Sequence, residues 1–227
     1  LGYEILGFSA HSPLPFETPW ALKAERMQEY LSELDGLKKA YAGSMTVLKG
    51  LEIDWLPGSS KATDDYFRTL PLDYRLGSVH FVETEEEPFT IDESEEKFKA
   101  HFERHFGSDG KKIVKSYYDA YSAMVTEGGF DIAGHFDLVK KNNGKGAIFD
   151  EEERWYRDRA FACAEVLASR DIVAEVNTGG LARGKTADVY PAPFIIKRMR
   201  ELGVPLTICA DAHHTDHLAR WDETARY

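Results

Sequence analysis

MTVLKGLEIDW, residues 45–55, is an apolar run of strand length with Glu52 set inside it, and its reading decides the fold. A buried carboxylate is costly unless it is paired or bound to a metal, so a ligand role is favoured over an ion pair with a lysine. A carboxylate bridging two cations would suit the position. Five further runs also end in potential metal ligands: EILGFSAHS (His11), YRLGSVHF (His80), FDIAGHFDL (His135), DIVAEVNTGG (Glu175 and Asn177) and PLTICADAHH (Asp211 and His213). All are rich in Val, Ile, Leu or Phe, and helical patterns lie between most of them, as expected for buried parallel strands. A polar residue at the C-terminal end of a barrel strand points into the site. The chain therefore reads as an α/β barrel and a metal-dependent enzyme.

The helical segments are expected from their caps and apolar faces. Thr18-Pro19 predicts the start of the first long helix, whose face runs through Met27, Leu31, Leu34 and Tyr41 to Gly43. Phe98, Phe102 and Phe106 mark a second helix over residues 92–106, stopped by Gly107. Ile113, Tyr117, Tyr121 and Met124 mark a third, from about Lys111 to Thr126. Asp150 is the expected cap of a fourth, with three glutamates in its first turn where the helix dipole favours them. Pro191 and Pro193 precede a fifth, which ends at Gly203.

With 227 residues the chain is long enough for one barrel, and residues 1–227 are expected to form a single domain. The net charge of -11 and the lack of a Lys/Arg stripe argue against a nucleic-acid partner. The acidic stretch 83–96 reads as a solvated loop running into a helix start. Cys163 and Cys209 lie in apolar stretches and are expected to be buried free thiols. No run reaches membrane-spanning length, so a cytoplasmic protein is expected. The chain starts without Met and stops at Tyr227 inside a helix-like segment, as a trimmed fragment would.

Among local motifs, Ala210-Asp211-Ala212-His213 is the sharpest, because side chains at i and i+2 of a strand share a face. Asp211 and His213 are expected to project inward together, a pairing that suits zinc, manganese or iron. Asp137, two residues after His135, is a candidate partner orienting an imidazole. Arg183 follows a Gly-rich turn and could clamp a phosphate. His101 and His105 have zinc-site spacing, yet HFERH lacks the HExxH arrangement and is not expected to bind metal.

Taken together, AHSP, GLEIDW, GSVHF, DIAGHFDLVKK, EVNTGGLARG and ADAH resemble the motif series of the PHP (polymerase and histidinol phosphatase) superfamily. Within it they are most similar to the monofunctional histidinol-phosphate phosphatases. The resemblance implies a distorted seven-stranded (β/α) barrel holding two to three divalent metal ions (Zn, Mn or Fe). It implies that Glu52 bridges two metals, with Asp211 a terminal ligand, His80 and His135 ligands of the second, and His11 and His213 ligands of the third. It also implies a phosphate contact for Arg183, a place near the substrate for His214, and no ligand role for Glu175 or Asn177, which it puts at the rim. Glu52, Asp211 and His213 are then the expected catalytic residues, around a metal-bridging hydroxide that attacks the phosphorus of L-histidinol phosphate. The family's H-x-H motif and its first strand are absent from this sequence, and the expectation is that they lie upstream of Leu1. Two alternatives stay open: a phosphoesterase for nucleotides or other small phosphate esters, and a degenerate barrel that binds without turnover.

Overall fold

Among the described residues, alternating apolar runs become eight strands in chain order: β1 (Ile5–His11), β2 (Thr46–Asp54), β3 (Tyr74–Ser78), β4 (Phe81–Val82), β5 (Phe89–Thr90), β6 (Ile132–Ala133), β7 (Val173–Asn177) and β8 (Leu206–Cys209). The structure is a computed structural model, and it describes residues 2–86 and 88–218. Six of the strands form one parallel sheet in the order β1-β2-β3-β6-β7-β8, curled into a half-barrel. Neighbours in space are thus successive segments of the sequence pattern, and every strand delivers its C-terminal end to the same rim. β4 and β5 make a separate antiparallel ribbon, with β4 just before the stretch predicted as an acidic loop and β5 within it. Residue 87 of that loop, and the helix-like segment at the chain's end, lie outside the described residues.

The helices are α1 (Met27–Tyr41), α2 (Asp65–Thr69), α3 (Glu95–Phe106), α4 (Gly110–Glu127), α5 (Arg154–Ala168), α6 (Gly179–Ala182), α7 (Pro193–Glu201) and α8 (Thr215–Leu218). Three starts differ from expectation, and α3 begins at Glu95, three residues later than expected. α1 begins at Met27, after a short 3-10 turn, while Thr18 Oγ1 accepts the Ala21 N–H (3.0 Å) in an isolated turn. α5 begins at Arg154, and Asp150 likewise accepts a nearby amide, that of Glu152 (2.9 Å). A short polar side chain bonds the amides that follow it whether or not a helix continues. Gly107 ends α3 at φ 58°, a left-handed stop that favours glycine.

Close approach of layers depends on a glycine in β2. A Cβ on Gly50 would lie 2.2 Å from Cζ of Tyr74, so the ring crosses directly over the backbone. At the same glycine Tyr30 closes the α1 side: its hydroxyl donates to Gly50 O (2.9 Å) and accepts the Ala10 N–H (3.2 Å). The core between sheet and helices is unusually rich in tyrosine, with Tyr117, Tyr118, Tyr121 and Tyr156 fully buried beside Phe136. Cys163 is buried and Cys209 half-buried, both as free thiols. No helix among the described residues is long and apolar enough to cross a membrane.

Candidate metal centre

Parallel register brings the first donors together. His11 at the end of β1 pairs with Glu52 of β2, and Asp54 of β2 pairs with Ser78 of β3. Glu52 and Asp54 are i and i+2, so both face the barrel interior, and both are buried. Glu52 Oε1 accepts the Ser78 hydroxyl at 2.6 Å and lies 3.1 Å from His135 Nε2 and 3.5 Å from His80 Nε2. Its Oε2 lies 3.6 Å from His11 Nδ1. His80 Nδ1 is held by Asp54 Oδ1 at 2.6 Å, the carboxylate–imidazole pairing that fixes a ligand ring and leaves Nε2 for a metal.

The electrostatics match a cation site. Burial opposes ionisation of Glu52, but His11, His135 and His80 outweigh it and hold the carboxyl well below its ordinary value. Burial also opposes protonation of His80, yet Asp54 and Glu52 lift the imidazole to about 9. Desolvation dominates at His11 and lowers its pKa despite Glu52, so the ring is held neutral, as a ligand must be. Donor atoms of Glu52, His80 and His135 lie within 4.8 Å of one another, as do those of His11, Asp54 and His80. His11 Nδ1 and His135 Nδ1 are buried without a hydrogen-bond partner. Mixed imidazole and carboxylate donors, buried and under-satisfied, fit divalent metal ions.

The remaining predicted residues sit at the rim. β8 stops at Cys209, and Asp211 adopts a left-handed φ of 46°, which turns it out of the strand alternation. Its carboxylate is taken by Arg183 (Nη2 to Oδ2, 2.8 Å), whose Nη1 also donates to Asp211 O at 2.6 Å. Asp211 and His213 therefore line the cavity without joining either donor cluster among the described residues, and the His213 side chain is half exposed. His214 does not line the cavity; its ring is exposed and pairs with Asp216. Asp211 and His213 thus face the cavity as expected, but from the loop after β8 and not by the alternation of a strand. His101 and His105 stack on Phe89 and join no donor cluster.

Two further assignments change. Asp137 does not orient His135. It is buried, accepts the Ala192 N–H at 2.8 Å, and pairs with Lys140 Nζ at 3.1 Å. Glu175 is not at the rim: its buried carboxyl accepts the His135 N–H at 2.6 Å and the Asn177 amide at 3.2 Å. Burial pushes it up to about 7, against the pull of His135. Sequence reading missed Asp54, although its i+2 relation to Glu52 in the same run was a usable signal. It also missed Lys141, Lys185, Asp92 and Tyr190, which line the cavity from loops that follow the strands. That cavity has a volume of about 240 Å³. A larger apolar cavity of about 700 Å³, beside Phe16, Trp55 and Phe81, contains none of the metal donors.

Comparison with known proteins identifies the family and the fold. Residues 1–179 match the family model described as "PHP domain". A Deinococcus radiodurans protein named "Probable histidinol-phosphatase" is 30% identical over 214 residues, covering 93% of this chain and 75% of its own. A crystal structure from Listeria monocytogenes, provisionally named a histidinol phosphatase, superposes with a TM-score of 0.84 at 20% identity, covering 98% of this chain and 89% of that one. A Lactococcus lactis histidinol phosphate phosphatase, described in complex with zinc, L-histidinol and phosphate, superposes at 0.61 with 18% identity, covering 98% and 81%. At these identities the two structures speak for the fold.

Proposed function

The chain belongs to the PHP domain family, and from that premise we propose that it hydrolyses L-histidinol phosphate to L-histidinol and inorganic phosphate. The observation that carries the reading is the convergence of His11, Glu52, His80 and His135 on one buried point beside a cationic wall. These four residues, with Asp54 behind His80, would hold the metal ions, and Asp211 and His213 would add donors from the rim. Bound divalent ions supply Lewis acidity and lower the pKa of water towards roughly 7.

The chain's own groups do the rest. Arg183, Lys141 and Lys185 line the cavity and attract a phosphate dianion. Arg183 already presents two N–H donors to oxygens of Asp211, one to the carboxylate and one to the backbone carbonyl, and the same fork can grip a phosphoryl group. Ser78 and the imidazoles fix the Glu52 carboxylate, so no reorganisation is needed when charge develops. Leu138 and Tyr190 form part of the wall that excludes water. The cavity volume suits a phosphate on a small alcohol better than a polymer.

The deciding assay is phosphate release from L-histidinol phosphate by the zinc- or manganese-loaded protein, beside a nucleotide panel. Strong preference for L-histidinol phosphate is expected. Preference for nucleotides would overturn the substrate, and no turnover with no metal uptake would favour a non-catalytic barrel.

A further inference from the structure

Given the phosphatase reading, on which this depends, we propose that Asp92 receives the ammonium group of the substrate and so selects an amino-alcohol phosphate over a plain one. Three carboxylates line the cavity, Glu52, Asp92 and Asp211. Glu52 is enclosed by imidazoles and Asp211 is engaged by Arg183. Asp92 stands apart from both, on the loop between β5 and α3, and among the described residues its charged partner is Lys141.

The backbone on either side of Asp92 is pinned, so the carboxylate is presented at a fixed place. The Ile91 N–H donates to His80 O at 2.9 Å, which ties this loop to a residue of the metal cluster. The Asn142 side-chain amide donates to the carbonyls of Ile91 (3.2 Å) and Glu93 (3.3 Å), straddling Asp92. The Asp92 N–H donates to Thr90 Oγ1 at 3.2 Å. A half-exposed acid on a backbone held at three points is pre-organised for a cationic ligand.

The substrate's charge pattern completes the fit. Its ammonium sits on the carbon next to the one bearing the phosphate ester, so anion and cation must be received close together. Lys141 and Asp92 are already in contact and offer the complementary pair. When the phosphate engages Lys141, the Asp92 carboxylate is released to the ammonium, and the internal ion pair is exchanged for two pairs with the ligand. Neither residue loses a partner in the exchange.

The test compares kcat/KM for L-histidinol phosphate and for its deaminated analogue, imidazolylpropyl phosphate, in the metal-loaded wild type, Asp92→Asn and Asp92→Glu. The wild type is expected to prefer the amine, and Asp92→Asn to shrink that preference by about 10- to 100-fold, the worth of a charge-assisted hydrogen bond. Asp92→Glu should restore part of it, and inhibition by L-histidinol should weaken in Asp92→Asn. Equal losses on both compounds would mean that Asp92 only positions Lys141, which overturns the assignment. Wild-type turnover with an unchanged preference in Asp92→Asn overturns it too and leaves the phosphatase reading intact. Absence of turnover by the wild type on L-histidinol phosphate overturns the phosphatase reading itself.

Discussion

Asp54 makes no claim on the substrate, yet it decides which nitrogen of His80 is free. Holding Nδ1 at 2.6 Å, it directs Nε2 towards Glu52. Outer partners of this kind are worth roughly 10- to 100-fold in metal affinity. Asp54→Asn is therefore expected to weaken metal retention by about that factor, read as metal content after competition with a graded chelator; full retention would show that the ring is oriented by something else. Glu52 could be picked out from sequence because a lone acid in an apolar run has few bland explanations. Asp54 was equally available, two residues on, but stood next to Trp55 where the run seemed to end. Asp211 was harder. Its left-handed backbone and its capture by Arg183 depend on contacts between β7 and β8 loops that no local pattern reports.

Between elements, a single lysine ties two site-forming loops together. Lys140 Nζ, almost fully buried, donates to Asp188 Oδ1 (2.7 Å) and Val189 O (2.8 Å) and pairs with Asp137. Asp137 reaches Ala192 from the other side, so the turn after β6 and the strap that carries Tyr190 are one unit. Lys140→Met leaves the buried Asp137 carboxylate without its cation and should cost about 3–5 kcal/mol, visible as a lowered urea midpoint; a loss within error would mean that water replaces the ammonium. This knot joins residues far apart in sequence, which is why Asp137 was assigned to its neighbour His135. The strands themselves were legible, because both faces of a parallel sheet are buried and the runs stand out. Helix starts were less so: Thr18 and Asp150 each make a cap-like bond, and only packing decides where an apolar face begins.

At the scale of the whole molecule, the tyrosine core sets an alkaline limit. Burial raises Tyr117, Tyr118, Tyr121 and Tyr156 well above the ordinary value. A raised folded-state pKa contributes stability that is complete below the unfolded value, about 10, and is lost as pH climbs towards the folded one. Urea midpoints should therefore hold to about pH 10 and fall beyond it, with tyrosinate absorbance from these rings appearing only on unfolding. Early, reversible ionisation of all eleven tyrosines would contradict the buried assignment.

The alternation along β2 has a wider consequence. Leu51 and Ile53 point to one side of the strand, Glu52 and Asp54 to the other, and all four are buried. Slipping the strand by one residue would exchange the two sets, driving two carboxylates into the helix-facing core while stripping the metal of its donors. Misalignment thus cannot yield a sound but idle protein. A chain with this strand out of step is expected to lose stability and metal donors together, so quality control of the fold doubles as quality control of the catalyst.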